Sequence, residues 1–314
     1  MKKTALIVLI SLIVTILAAS TFMVGCKKKK QDVNYENNDL KGIESDASIA
    51  EWMIYDENST QEELKALVER VYKNACELDQ KLEYRRTDVV CNVTTVGTMV
   101  QYVTTIKNGN EYVRLETQVP DGETPSLMKS ILKDQIYFKG DYADMQHEKA
   151  VEIETKKGVS YEDGVISADL DSVNVSYVDK PYFNASQELK YTQTDFVITK
   201  DTIKDVSISH NDEEGFYIVE LSVDVENEEA IAKPYANLSS NVKKAKYLSV
   251  REHIEIWDNG YFRAFYSLDN WKGTVVVSIE GDIDYRTYFV YDEAQCQIDG
   301  LFAIDKLREE IAKQ

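Results

Sequence analysis

The sequence predicts an α+β protein, a large curved antiparallel sheet packed on a long N-terminal helix with helical inserts. Three observations lead there: one stretch of helical period near the start, a change to period two over most of the remainder, and a short helical close. Leu64, Leu67, Val68, Val71, Ala75, Leu78 and Leu82 recur at every third or fourth position, which puts them on one stripe of a helix. Thr60 and Glu63 stand at capping-box spacing before them, so the helix is expected from Thr60 to about Glu83.

From Arg85 the pattern alternates. Val89 to Thr95, Thr98 to Ile106 and Glu111 to Gln118 are rich in Val, Thr and Tyr, and Gly97 and Asn108-Gly109 punctuate them as a meander. Pro120 to Pro125 ends the third strand, Ser126 to about Gln135 is expected to be helical, and so is a piece over Asp141 to Lys149. Glu148 to Glu154, Gly164 to Ala168 and Ser172 to Val178 read as short strands. Tyr191 to Ile198, Ile203 to His210 and Phe216 to Val225 follow as longer ones, then a helix and loop over Glu226 to Lys246.

The last third predicts a run of hairpins. His253 to Trp257, Tyr261 to Leu268, Thr274 to Glu280 and Ile283 to Tyr291 are separated by Asn259-Gly260, by Asp269 to Gly273 and by Gly281-Asp282, each with turn chemistry. Asn259-Gly260 has the composition of a type I′ turn. Ile254 and Ile256 share a face, as do Val275, Val277 and Ile279, and a short helix from Asp305 closes the chain.

The N-terminus carries a targeting pattern. Lys2 and Lys3 precede a twenty-residue stretch without charge, Ala5 to Val24. Met23-Val24-Gly25-Cys26 then resembles the lipobox of bacterial lipoproteins, with Met and Val as tolerated departures from its commonest form. The resemblance implies a signal peptide over 1–25, recognised by its peptidase at Met23, Val24 and Gly25, and a diacylglyceryl group on Cys26. Lys27 to Lys30 favour cleavage, because a retained helix with four lysines after it would be drawn to the opposite orientation. A cleaved chain can instead rest them on anionic headgroups.

The expected place is the outer face of the cytoplasmic membrane, as in a Gram-positive bacterium, with the membrane as a partner through the N-terminal lipid. A polar tether would cover 26–59 and a folded body 60–314, either one sheet or two sheet-rich halves divided near Pro181. An anchored cysteine, a long first helix and antiparallel strands with helical inserts resemble the plan of the LolA and LppX–LprG lipoprotein carriers. That likeness is architectural and carries no binding residue with it. It implies a sheet and helices around an apolar cavity.

Composition narrows the function. The chain has 36 basic and 55 acidic residues, a net charge of −19. Loss of Lys2 and Lys3 with the signal leaves 34 basic residues and a net of −21. Such a surface disfavours nucleic acid as a partner. His147, His210 and His253 fall in no metal-ligand spacing, and no phosphate loop, dinucleotide fingerprint or Gly-x-Ser-x-Gly elbow is present. No cofactor, metal or catalytic residue is therefore assigned. Asp212-Glu213-Glu214 and Glu226-Asn227-Glu228-Glu229 lack calcium-loop alternation and read as solvated turns.

Cys76, Cys91 and Cys296 read as buried hydrophobes, with a Cys76–Cys91 disulfide geometrically conceivable. The one compositional oddity is 20 tyrosines. Trp257, Tyr261, Phe262, Phe265, Tyr266 and Trp271 put aromatics on both faces of the last hairpins, either as cross-strand packing or as a platform or groove for a lipid, glycan or protein ligand. The leading expectation is non-enzymatic binding or carriage of an apolar or amphipathic ligand at the cell envelope. A structural or protein- or glycan-contacting surface lipoprotein is the second reading, and a carboxylate-dependent hydrolase the third.

Overall fold

The computed structural model describes residues 53–95, 97–162, 164–178, 193–274 and 278–314. Among them the chain is α+β, dominated by one antiparallel sheet. The helices are α1 (Gln61–Lys81), α2 (Ser126–Leu132), α3 (Glu228–Asn241) and α4 (Ile304–Ile311). The first strands are β1 (Tyr84–Thr94), β2 (Thr98–Asn108), β3 (Glu111–Pro120), β4 (Tyr137–Asp144), β5 (Lys149–Thr155), β6 (Ser160–Glu162), β7 (Val165–Ser167) and β8 (Asn174–Val178). The later ones are β9 (Ile203–Asn211), β10 (Phe216–Val223), β11 (Lys243–Trp257), β12 (Phe262–Thr274) and β13 (Ser278–Val290).

Eleven strands form the sheet in the order β8-β5-β4-β3-β2-β1-β13-β12-β11-β10-β9, and β6 pairs with β7 apart from it. The chain starts at the middle with β1 and builds to one edge. It resumes at the other edge with β9 and builds back until β13 pairs with β1, Cys91 opposite Tyr285. Strands from both sides of Pro181 thus share one sheet; Pro181 itself lies outside the described residues.

The two halves bury opposite faces. Val206, Leu221, Glu252, Ser267, Tyr285, Cys91 and Gln101 form one cross-strand row and so share a face. On β9 to β13 this face is the core, where Val219, Ile254, Phe265 and Phe289 pack with Val68, Val71 and Ala75 of α1. On β2 to β5 the opposite face is buried: Ile106, Val113, Tyr142 and Val151 pack with Ile304 and Leu307 of α4. A sheet that changes its buried face part-way keeps no single phase of alternation along the whole sequence.

Local chemistry sets the ends. Thr60 and Glu63 make both bonds of the capping box that starts α1. Arg85 on β1 bonds Asp79 of α1 at 2.6 Å, a buried ion pair joining helix to sheet. The hairpin after Trp257 has Gly260 at φ 92° with Gly260 N–H donating to Trp257 O, and Asn259 has no positive φ. It is therefore a three-residue loop with glycine in the left-handed position, not the expected type I′ turn.

Three expected elements are corrected, and two expected turns after them. Asp141 to Lys149 is the β4–β5 hairpin rather than a helix, since Tyr142 and Val151 pair in phase with the core. The stretch expected as a strand over Tyr191 to Ile198 is irregular at 193–198, with Tyr191 outside the described residues; here Thr202 Oγ1 donates to Val197 O and takes up a carbonyl that a strand would have paired. Lys243 to Lys246, expected in a helix and loop, already belongs to β11.

Asp269 to Gly273 and Gly281-Asp282 are not turns but lie inside β12 and β13, where Asn270 pairs with Asp282 and Trp271 with Gly281. Gly281 is small for packing: a Cβ there would stand 2.5 Å from Trp271 Cζ2 and 2.8 Å from Thr94 O. Val275 and Val277 lie outside the described residues.

Candidate functional site

A cleft of about 490 Å³ lies over the buried face of β11 to β13. Tyr247, Ser267, Asp269, Ile283 and Tyr285 line its sheet side. Gln193, Thr194, Asp195 and Phe196 form one wall, and Pro234, Asn237 and Leu238 of α3 the other.

Proline sets the walls against each other. Pro234 has no N–H, so the carbonyl of Ala230 loses its helical donor. Val197 N–H supplies the bond instead at 3.1 Å and ties the irregular wall to the helix. At the rim Lys233 pairs with Asp195, and Asn237 Nδ2 donates to Asp195 Oδ2 at 3.4 Å.

The floor is polar within an apolar surround. Along β12, Phe265, Ser267, Asp269 and Trp271 occupy alternate positions on the core face. Ser267 Oγ donates to Asp269 Oδ1 at 2.6 Å, and Asp269 is only 7% exposed. Burial raises the Asp269 carboxyl to about 7, with the Ser267 hydrogen bond working the other way. Beside it on β11, Glu252 is 0% exposed and accepts from Thr194 Oγ1 at 3.1 Å, while its Oε2 has no hydrogen-bond partner. Desolvation and the charge of Asp269 hold Glu252 well above the usual carboxylate range.

Two carboxyls on one face are the minimum a carboxylate-dependent hydrolase needs. Glu252, with no exposed surface, has no contact with the cleft contents, so of these two only Asp269 can meet a ligand directly. What the cleft offers is one buried carboxyl, hydroxyls, and aromatic walls. Phe196 and Tyr247 meet edge to face with centroids 5.4 Å apart.

The six aromatics singled out from the sequence do not line this cleft. Tyr261, Phe262, Phe265 and Trp271 are buried core residues rather than an exposed platform. Phe262 and Phe265 would face opposite ways in a regular strand. The register shift beside Ile256 lets Phe262 pair with Ile256 and Phe265 with Ile254, so both enter the core. Trp257 is half-buried under Arg263, 5.3 Å from the ring centroid, and Tyr266 meets Tyr288 edge-on on the opposite face. Met23, Val24, Gly25 and Cys26 lie outside the described residues.

The other candidates have structural partners. His210 bridges Asp258 and Asp212, and its pKa is raised by hydrogen bonds to both. His253 sits between Glu255 and Glu220; burial lowers its pKa, but the two carboxylates outweigh that and raise it. His147 contacts Asp144. Glu214 pairs with Arg263, Glu226 with Lys246, and Asn227 caps α3. Among the described residues no cluster of His, Cys, Asp or Glu could hold a metal ion.

Sequence reasoning missed Ser267, Asp269 and Glu252. Their signal was phase: Glu252 alternates with Val250, Ile254 and Ile256, as Ser267 and Asp269 do with Phe265 and Trp271. The turn composition of 269–273 masked it. Comparison with protein-family models and with curated protein sequences finds no match to this chain.

Proposed function

We propose that this protein is a lipid-anchored protein of the cell envelope that binds a small amphipathic ligand, without chemistry, in the cleft between the β11–β13 face and α3. The observation that carries the reading is the cleft. Its volume lies within the range of about 300–1,000 Å³ common to small-molecule sites, and it combines apolar walls with a few placed polar groups. The carrier-like plan fits it, with α1 and α3 against one side of a large sheet and a pocket between layers. Anchoring at Cys26 rests on the lipobox and on the four lysines after it.

Two experiments test the two parts. Metabolic labelling with a radioactive fatty acid should mark the wild-type chain and not Cys26→Ala; equal labelling of both removes the anchor. A thermal-shift screen of full-length protein in nonionic detergent against short amphipathic amines, alcohols and acids should give a saturable rise. The rise should vanish in Asn237→Trp, which fills the cleft from its helical wall. No rise with any compound, or an equal rise in the variant, contradicts binding there.

A further inference from the structure

We infer that the ligand of this cleft carries a cationic amine, with Asp269 as its counter-charge and the aromatic walls around its apolar part; this rests on the cleft being a ligand site. Among the described residues the charged ones lining the cleft are Asp195 and Asp269, and neither Lys nor Arg joins them. Asp195 at the rim is already paired with Lys233. Asp269 is not: Ser267 takes Oδ1, and among the described residues no protein donor meets Oδ2. Glu252 behind it adds a second oxygen without a partner, fully enclosed.

A buried carboxyl without a counter-ion is costly to ionise, and among the described residues the stretch of β11 to β13 under the cleft supplies no cation on this side; Arg114 and Lys139 share the face on β3 and β4 but pair with Glu116 and Glu152. Arg251, His253 and Arg286 belong to the same three strands but alternate onto the opposite face, out of phase with Glu252, Ser267 and Tyr285. Without a cation Asp269 can hold a proton instead; a ligand ammonium would supply the positive charge that the described residues do not. An ammonium placed at Asp269 Oδ2 would complete that oxygen's hydrogen bonding. Phe196, Tyr247 and Tyr285 line the same cleft and would supply aromatic surface to the cation, and Leu238 and Ile283 suit an apolar tail.

The same arrangement excludes acids. A carboxylate or phosphate head would face Asp269 with no cation to relieve it, so a fatty acid is the wrong class of cargo. The chain's net charge of −19 works in the same sense, raising the local concentration of cations and lowering that of anions.

Isothermal titration of the full-length protein in nonionic detergent with three isosteres separates these cases: phenethylamine, 2-phenylethanol and 3-phenylpropionate. Phenethylamine is expected to bind at least about tenfold tighter than the alcohol, a difference of roughly 1.4 kcal/mol, and the acid weakest of all. Asp269→Asn, which keeps shape and the Ser267 bond, should abolish the preference for the amine; Glu213→Gln, in the exposed turn between β9 and β10 and outside the cleft, should leave it. Saturable binding of the alcohol with no preference for the amine, or a preference that survives Asp269→Asn, overturns the inference alone. If none of the three binds, the inference falls together with the reading of the cleft as a ligand site.

Discussion

Ser267 and Asp269 sit two residues apart on one face of β12, joined at 2.6 Å, and they are polar where the strand's phase calls for core. Phe265 and Trp271 flank them in the same phase and are buried. The interruption of an apolar stripe by a serine and a carboxyl is what turns the end of the core under α3 into a cleft with a polar floor.

Stability should fall as pH rises from about 5 to 8. Asp269, raised from 3.8 to about 7, and Glu252, also raised, hold protons in the folded state that the unfolded chain has released. Their contribution is complete below the unfolded pKa and is lost as pH climbs through the folded one. His210 and His253, also raised, act in the same direction. For Asp269 the shift corresponds to about 4 kcal/mol at 1.36 kcal/mol per unit. Asp269→Asn should therefore gain stability over wild type as pH increases, read as urea midpoints at pH 5 and pH 8. A variant whose difference from wild type is the same at both pH values contradicts this.

Gly281→Ala should destabilise the fold by about 3 kcal/mol, the upper end for forced overpacking. Both the Trp271 ring and the Thr94 carbonyl obstruct the new methyl. Adding Trp271→Phe should recover only part of the loss, since the backbone contact remains. Urea unfolding reads both effects. A neutral Gly281→Ala would mean that Asp282 and its neighbours form a turn after all.

Asp79→Ala should cost about 3–5 kcal/mol, because it removes the carboxylate of a buried ion pair and leaves the Arg85 charge in the interior. Replacing both partners, Asp79→Leu with Arg85→Met, should cost less than the single change. A double-mutant cycle on urea midpoints measures it, and a double variant worse than Asp79→Ala counts against the ion pair as drawn.

Cys76, Cys91 and Cys296 are free and buried, and desolvation pushes each thiol up to about 12. The folded protein should resist a disulfide reagent at pH 8 and release the thiols of Cys76, Cys91 and Cys296, counted apart from Cys26, once denatured without reductant. Recovery of one thiol would show that a disulfide had formed.

How far the sequence could be read depended on whether one rule governed each stretch. The Thr60–Glu63 box and the stripe through Val68 and Val71 are local signals, and α1 follows them. The β1–β3 meander was legible for the same reason. The later hairpins were not, because Gly273, Gly281 and Asp282 carry turn composition while serving close packing and cross-strand bonds. Asn270 Nδ2, for instance, donates to Asp282 Oδ1 at 2.5 Å. The exchange of buried face between halves depends on β13 meeting β1, Cys91 opposite Tyr285, across a sequence separation that no local window contains. The aromatics drew attention as a cluster, yet a register shift beside Ile256 sends Phe262 and Phe265 inward together.

Native mass spectrometry of the full-length protein, extracted in gentle detergent from the cells that make it, tests the central claim most directly. A small molecule retained by wild type, released on denaturation and absent from Asn237→Trp is the expected result. An equal adduct in both proteins, or none in wild type, would contradict a ligand in the cleft above Asp269.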